Sequence, residues 1–522
     1  ERMKYYIRLL DETHSDTSWT TVEENNYEFA NLPTGKYIFE VKAIDRDLNY
    51  SQEAAKVEFE VVYVPETSSI GLGEIELHDI YASFYKTYGL KTAGKVQVFN
   101  KNEREIEATL HYYLPELMAR PTIKRFVIPP RTKLILPFKA HLDNSLLNLI
   151  GKKIWEADVK LSYDIGDQTF SVEKKIPLQI YGRGTLTWEA MDKAAAFVTP
   201  EHEPVVALAR GLLGSFDESN IKHITNKNIM RSMLMFEGLN SLGVKYAPDA
   251  NTPFSEALNG SSALDNIQYP YELMQSLLGD CDDNTVLYCS LLENLNISTA
   301  FIDVPGHILM MFDSGIPSDR HLGAFLPISM FVDYRGSLWV PIEVTVLGED
   351  RLFMDAWELG AKIVQENDIK DPDSFTIVSE AWMTYPYGDV EKKFNVDVPS
   401  GEFLRKSLRE NLNRLEQMRD EYFEKTYVTP LLKNAHDDSL RMKMAMAHIE
   451  SNRFRLALSQ LPLISNDLKS EAFYLMGYSY AGLENYELAA EYVEKAISMD
   501  PNHTGYMESL CWIYHEILIS GR

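Results

Sequence analysis

The sequence predicts a multidomain protein: two all-β sandwiches, then an α+β domain, then an α-helical tail. Three observations predict it. Apolar residues alternate in period two up to about residue 182, then recur at spacings of three and four from Leu186. After about Ser400 the pattern stays helical, with one unit of about 34 residues in repeat-like spacing. A chain of 522 residues holds about three or four domains at roughly 100–200 residues each. Its 45% hydrophobic and 25% charged residues are an ordinary mixture for folded domains.

Charge and cysteine content exclude several function classes. With 77 acidic against 51 basic residues the net charge is −26, which argues against a nucleic-acid partner and against docking on anionic lipid by charge. Three cysteines (Cys281, Cys289, Cys511) are too few for a disulfide framework and lack metal-ligand spacing, so no metal and no cofactor is expected. A site of Cys281, His307 and a distant carboxylate has no second Cys or His nearby to support zinc. No apolar run approaches the ~18 residues of a transmembrane segment. The chain opens on "ERMKYYIRLL", already strand-like, and reads as a mature or truncated fragment with no signal peptide.

Residues 1–66 contain "KYYIRLL", "YEFANL", "YIFEVKAID" and "KVEFEVVYV", separated by Asp11, Asn25, Pro33, Gly35 and Asn49, the pattern of a small antiparallel sandwich. Tyr5 or Tyr6, Leu9, Trp19, Leu32, Gly35, Tyr37, Phe39, Val41 and Ala43 resemble the triple-tyrosine domain. That resemblance implies a fibronectin-like fold and a periplasmic or cell-surface location in bacteria. Residues 70–183 supply further strands, among them "KVQVFNK", "EIEATLHYYL" and "KLILPFKA", with a turn at Ile128-Pro129-Pro130. They read as a second Ig-like sandwich without a site.

In residues 184–398, "NIMRSMLMFEGLNSLGV" predicts an amphipathic helix stopped at Gly243. In "LGDCDDNTVLYCSLL", Gly279 ends one helix, Asp280 caps the next, and Cys281 falls in its first turn. A helix start favours negative charge on sulfur, whereas Asp282 and Asp283 oppose a thiolate unless they point away. "TAFIDV" and "HILMMF" read as strands joined by Pro305-Gly306, with His307 opening the second. "WVPIEVT" is a later strand carrying Glu343, after an insertion expected to form a loop over the site or a widened hairpin.

This order of helix-borne Cys, strand-borne His and strand-borne carboxylate resembles the transglutaminase-like superfamily, relatives of papain-type proteases. The resemblance implies Cys281 as nucleophile, His307 as general base and acid, and Glu343 as orienter of the imidazole. The family usually has Asp in that third role, so Asp333 and Asp313 compete with Glu343. Gln275, Tyr271 and Tyr269 are candidate oxyanion donors. His321, in the insertion, is a further candidate to reach the site, and Cys289 is expected in the core.

In residues 401–522, "AFYLMGYSYAGLENYELAAEYVEKAISMDP" places Gly477, Tyr480, Tyr486, Ala489, Ala496 and Pro501 on tetratricopeptide-repeat positions. Phe454 and Ala457 mark a degenerate repeat before it, and Cys511 is expected to pack on the apolar face of a closing helix. The resemblance implies a protein partner for the tail. Two functions remain open: a thiol-dependent hydrolase or acyl transferase acting on a peptide or protein amide, and a non-catalytic envelope scaffold.

Overall fold

A computed structural model describes residues 4–11, 18–24, 26–29, 32, 35–45, 49–63, 70–165, 168–216, 226–248, 264–399 and 401–520. The chain divides into two compact units, residues 1–186 with 384–390, and residues 187–383 with 391–522.

The first unit is all-β apart from short helical turns. Its strands are β1 (Lys4–Asp11), β2 (Thr20–Val22), β3 (Gly35–Ile44), β4 (Ala55–Tyr63), β5 (Ile70–Leu77), β6 (Ile80–Tyr81), β7 (Gly94–Asn100), β8 (Ile106–Tyr113), β9 (Thr122–Ile128), β10 (Thr132–Phe138), β11 (Lys152–Ile165) and β12 (Gln168–Tyr181). The period-two reading holds where burial alternates, as in β8, where Ile106, Ala108, Leu110 and Tyr112 are buried and their neighbours face outward. One sheet runs β2-β1-β3-β4-β10-β7-β5 and the other β6-β12-β11-β8-β9. The first four strands therefore form a single layer among the described residues, and Val62 and Tyr63 of β4 pair with Lys133 and Thr132 of β10. Sequence alternation gives no information about such a seam, because pairing partners depend on register. The turn after Ile128 carries Arg131 in the left-handed region at φ 53°, and Asn100 Nδ2 donates to Arg104 O, Ile128 O and Pro129 O.

The second unit centres on a five-stranded antiparallel sheet. After β13 (Lys245–Tyr246) and β14 (Leu278–Gly279), its strands are β15 (Thr299–Val304), β16 (His307–Pro317), β17 (Val332–Tyr334), β18 (Ser337–Ile342) and β19 (Phe375–Ile377), in the order β17-β18-β16-β15-β19. Its helices are α1 (Glu203–Gly214), α2 (Lys227–Leu242), α3 (Pro270–Ser276), α4 (Cys281–Asn294) and α5 (Phe353–Glu366). Gly243 stops α2 at φ 94°, as its position requires. Gly279 does not end α3: Leu277 does, at φ 59°, and Gly279 lies in β14. A Cβ on Gly279 would meet Asp283 Cβ and Leu273 Cδ1 at 2.7 Å, so close packing is what requires glycine there.

The longer helices of the tail are α6 (Gly401–Phe423), α7 (Asp438–Glu450), α8 (Phe454–Gln460), α9 (Lys469–Gly482), α10 (Tyr486–Met499) and α11 (Thr504–Ser520). It joins the α+β domain in one compact unit, through buried groups as well as surface pairs: Asn411 Oδ1 accepts from Met354 N at 3.0 Å, and Arg414 Nη1 lies 2.9 Å from Asp355 Oδ1. In the α9–α10 hairpin, Ala489, Val493 and Ala496 are buried. A Cβ on Gly477 would lie 2.6 Å from Val493 Cγ2 and 2.9 Å from Ala489 O. Gly477→Leu is therefore expected to force the hairpin apart and cost about 1–3 kcal/mol, read as a lower denaturation midpoint of the full chain. Cys511 is exposed, contrary to the expectation from its spacing, because α11 packs through Tyr506, Leu510, Ile513 and Ile517, a stripe that leaves Cys511 out. No helix among the described residues is long and apolar enough to cross a membrane.

Candidate functional site

The site begins at the buried helix α4. Asp280 is its N-cap, and the cap is reciprocal: Asp280 Oδ1 accepts from Asp283 N and Asp283 Oδ2 accepts from Asp280 N, both at 3.3 Å. Asp283 is held further by Gln268, whose N and Nε2 each donate to it at 2.6 Å. Every residue from Cys281 to Leu292 is buried, so the helix is a central core element, beyond the single apolar stripe its sequence predicts. Cys281 is its first residue and 7% exposed.

β15 and β16 meet in a two-residue turn, Pro305-Gly306, with Val304 paired to His307 and Gly306 at φ 75°. His307 thus opens β16 with its side chain a quarter exposed (25%). The backbone N–H of Ile308, the next residue, donates to the Cys281 sulfur, which fixes the helix start against the start of this strand. His307 Nε2 lies 2.7 Å from Glu343 Oε2. Glu343 is 2% exposed, and its other oxygen accepts from Thr345 N at 2.9 Å and Thr345 Oγ1 at 2.6 Å. With both oxygens engaged the carboxylate is fixed, and the imidazole keeps Nδ1 for other work.

The competing carboxylates lie elsewhere. Asp333 is exposed on β17, where Ser318 Oγ donates to it, and Asp313 accepts from Gly315 N and Ser337 Oγ. Asp313 is six residues along β16 from His307, roughly 20 Å at 3.3 Å per residue. Gln275 is exposed on α3; Tyr269 precedes that helix as its N-cap, and Tyr271 is buried edge-on to His202 with ring centroids 5.5 Å apart. The insertion forms the widened hairpin and packs Phe325 against Tyr427, Met444 and Ala447, away from Cys281. His321 sits exposed within it, its Nδ1 3.1 Å from Ser318 O. Cys289 is fully buried, as expected of a core residue.

Electrostatics around the sulfur oppose ionisation. Burial first, then the charges of Asp282 and Asp280, push the Cys281 thiol well above its ordinary range. The same burial and the facing Asp280 carboxyl hold Asp282 far above the usual carboxylate range, and burial raises Asp283 to about 7. Donor atoms of Asp280, Cys281 and Asp282 lie within 4.8 Å of one another, yet the Asp280 and Asp283 carboxylates are committed to the cap, and the neighbouring imidazole faces Glu343. That set suits a metal poorly.

Tyr246 was not legible as a site residue. It lies on β13, which pairs in parallel with β14, and Ala247 N donates to Gly279 O at 2.8 Å. Its hydroxyl pKa is raised by burial first, then by the charges of Cys281, Asp280, Glu343 and Asp282 in turn, so it lies within range of their field. "VKYAP" carries no local signal for that role; parallel pairing across more than thirty residues delivers it.

Comparison with known proteins covers the two ends. Residues 1–62 match the Y_Y_Y domain model and residues 470–503 a tetratricopeptide repeat model, and neither match reaches Cys281, His307 or Glu343. No curated relative matches. A crystal structure of native alpha-2-macroglobulin from Escherichia coli, spanning domain MG7 to the C-terminus, is similar at 10% identity and a TM-score of 0.16, over 84% of this chain and 55% of that one. A cryo-EM reconstruction of the native E. coli protein is similar at 10% identity and a TM-score of 0.14, over 92% of this chain and 24% of that one. The chain thus spans about half the length of the first and a quarter of the second. The chemistry of the site rests on its own geometry.

Proposed function

We propose that the protein is a thiol-dependent amide hydrolase or acyl transferase of transglutaminase-like type, acting on a peptide or protein amide. The observation that carries this reading is the His307–Glu343 pair at 2.7 Å, with Cys281 at a helix start hydrogen-bonded to the residue after His307. The Cys281 proton passes to His307 Nδ1 and the sulfur attacks the amide carbonyl carbon. The resulting oxyanion takes the Cys281 backbone N–H and the Tyr246 hydroxyl as donors. His307 then returns the proton to the departing amine as the C–N bond breaks. Water, deprotonated by His307, hydrolyses the thioester and regenerates the thiol; an amine in place of water gives transfer.

The Y_Y_Y match supports an extracytoplasmic location, and the tetratricopeptide repeat supports a protein partner for the tail. One observation favours the second reading, a non-catalytic scaffold: the thiol is buried and its charge opposed by two neighbouring acids. Iodoacetamide labelling of the full chain at pH 7, mapped by peptide mass, separates the two. Exposed Cys511 is the internal reference. An active site labels Cys281 faster than Cys511, and a scaffold leaves Cys281 slower. Tyr246→Phe is expected to lower kcat on an amide substrate by about 10- to 100-fold with KM little changed, as loss of one oxyanion donor would. Equal turnover would remove Tyr246 from the mechanism.

A further inference from the structure

A cavity of about 480 Å³ lies in the second unit, away from Cys281. Gly315, in its lining, is eight residues along β16 from His307, roughly 25 Å at 3.3 Å per residue. Packed interiors leave few voids larger than a water molecule, whereas sites for small ligands run from roughly 300 to 1,000 Å³. Volume thus sets this space apart from a packing defect.

Its walls are braced. Asn226 caps α2 by accepting from Ile229 N at 2.9 Å, and its Nδ2 donates to Ser314 O at 2.7 Å, so the start of α2 is pinned to the end of β16. Gly323 N donates to Glu450 Oε2 at 2.8 Å, and a Cβ on Gly323 would lie 2.7 Å from Glu450 Cβ, so the insertion sits hard against α7. Elements tied in this way resist closing on the space, as a largely preformed site requires.

The lining combines apolar surface with balanced charge. Ile229, Met233, Leu326, Phe331, Leu412 and Leu415 give the apolar part, in which the unbranched Met233 can adapt to a ligand's shape. The charged lining residues come with opposites. Arg419 stands in the fields of Glu416 and Asp420 as well as of Arg453, and Glu450 stands in the field of Arg320. A ligand with net charge would meet repulsion along with attraction and would lose its hydration on entry. A neutral ligand avoids both costs.

We infer that this cavity binds a small neutral amphiphile, its apolar body against Met233, Leu326 and Phe331 and its polar group toward the charged part of the lining. A hydroxyl or an amide both donates and accepts, so either can meet an arginine N–H or a glutamate oxygen without adding charge. An alkyl alcohol and a doubly blocked apolar amino acid both carry this chemistry.

The test is calorimetric titration of the full chain with 1-hexanol, hexanoate and hexylamine, which share an alkyl body and differ in the charge of the head, and with N-acetyl-leucinamide. Saturable binding of one or both neutral probes is expected, about tenfold or more tighter than either ion. Preference for hexanol or for N-acetyl-leucinamide identifies the source. Leu415→Trp fills the space from α6 and Ala324→Leu from the insertion, and each is expected to weaken binding about tenfold or more. The two act from different elements, so misfolding of one leaves the other to decide. Binding should survive alkylation of Cys281, and its loss there would place the probe at the sulfur and overturn the proposal. No saturation by either neutral probe up to about 10 mM also overturns it. So does equal or tighter binding of an ion, or wild-type affinity in a folded cavity-filling variant.

Discussion

His307→Ala is expected to abolish amide turnover, by about 10³-fold or more, and to change how Cys281 alkylation depends on pH. In the proposed mechanism, proton transfer from Cys281 to the His307 imidazole supplies the reactive sulfur at neutral pH. Without it, burial and the facing Asp282 and Asp280 charges act alone, and both drive the thiol upward. Reactivity at Cys281 in the variant should then appear only well above the free-thiol range of about 8.5. Glu343→Gln should give an intermediate result. The amide can still meet His307, but it supplies no charge to hold an imidazolium and cannot accept from Thr345 and His307 as the carboxylate does. A rate–pH profile unchanged in both variants would show that His307 and Glu343 are a structural pair and that Cys281 is not activated by them.

The second large effect is on stability. Glu237 is 1% exposed in α2, and its Oε1 accepts from Phe353 N and from Asn411 Nδ2, each at 2.8 Å. One carboxyl oxygen thus ties α2 to the start of α5 and to α6. Glu237→Ala strands two buried donors and opens a cavity, a cost of about 3–5 kcal/mol in chemical denaturation. Glu237→Gln keeps an acceptor and should cost far less. The pair also differs in pH response. Burial raises the Glu237 carboxyl above its ordinary value, so the folded chain binds this proton more tightly than the unfolded chain. The stability it contributes is complete below the unfolded value of about 4.3 and is lost as pH rises through the folded value. Glu237→Gln removes that slope, so its stability relative to wild type should improve from pH 4 to pH 8. A constant difference across that range would mean that the Glu237 carboxyl has the same pKa in the folded and unfolded chains.

These two cases show where sequence reading succeeds and where it stops. Cys281 and His307 were legible because each sits beside a local signal, a capping Asp280 and a Pro-Gly turn. The resemblance implies Glu343 as the partner of His307, and register is what sets it apart from Asp333 and Asp313. Met310 pairs with Ile342, and this brings Glu343 toward the His307 end of β16, whereas Asp333 pairs with Leu338 and Asp313 with Trp339 farther along. Tyr246 and Glu237 were missed for the same reason, since their partners lie far away in sequence. Composition could identify neither, because a buried acid and a half-exposed tyrosine look ordinary in isolation. The β alternation and the helical repeat were read correctly because they depend on period alone. The exposure of Cys511 was not, because α11 packs through the stripe of Tyr506, Leu510, Ile513 and Ile517 instead.

The seam between β4 and β10 has a consequence for dissecting the chain. Cutting after β4 to isolate either half would turn two interior strands into bare edges. Each would then display unpaired N–H and C=O groups, a template for joining another copy. Fragments ending near residue 66 are therefore expected to self-associate more than the intact chain, even where each half keeps its own layer.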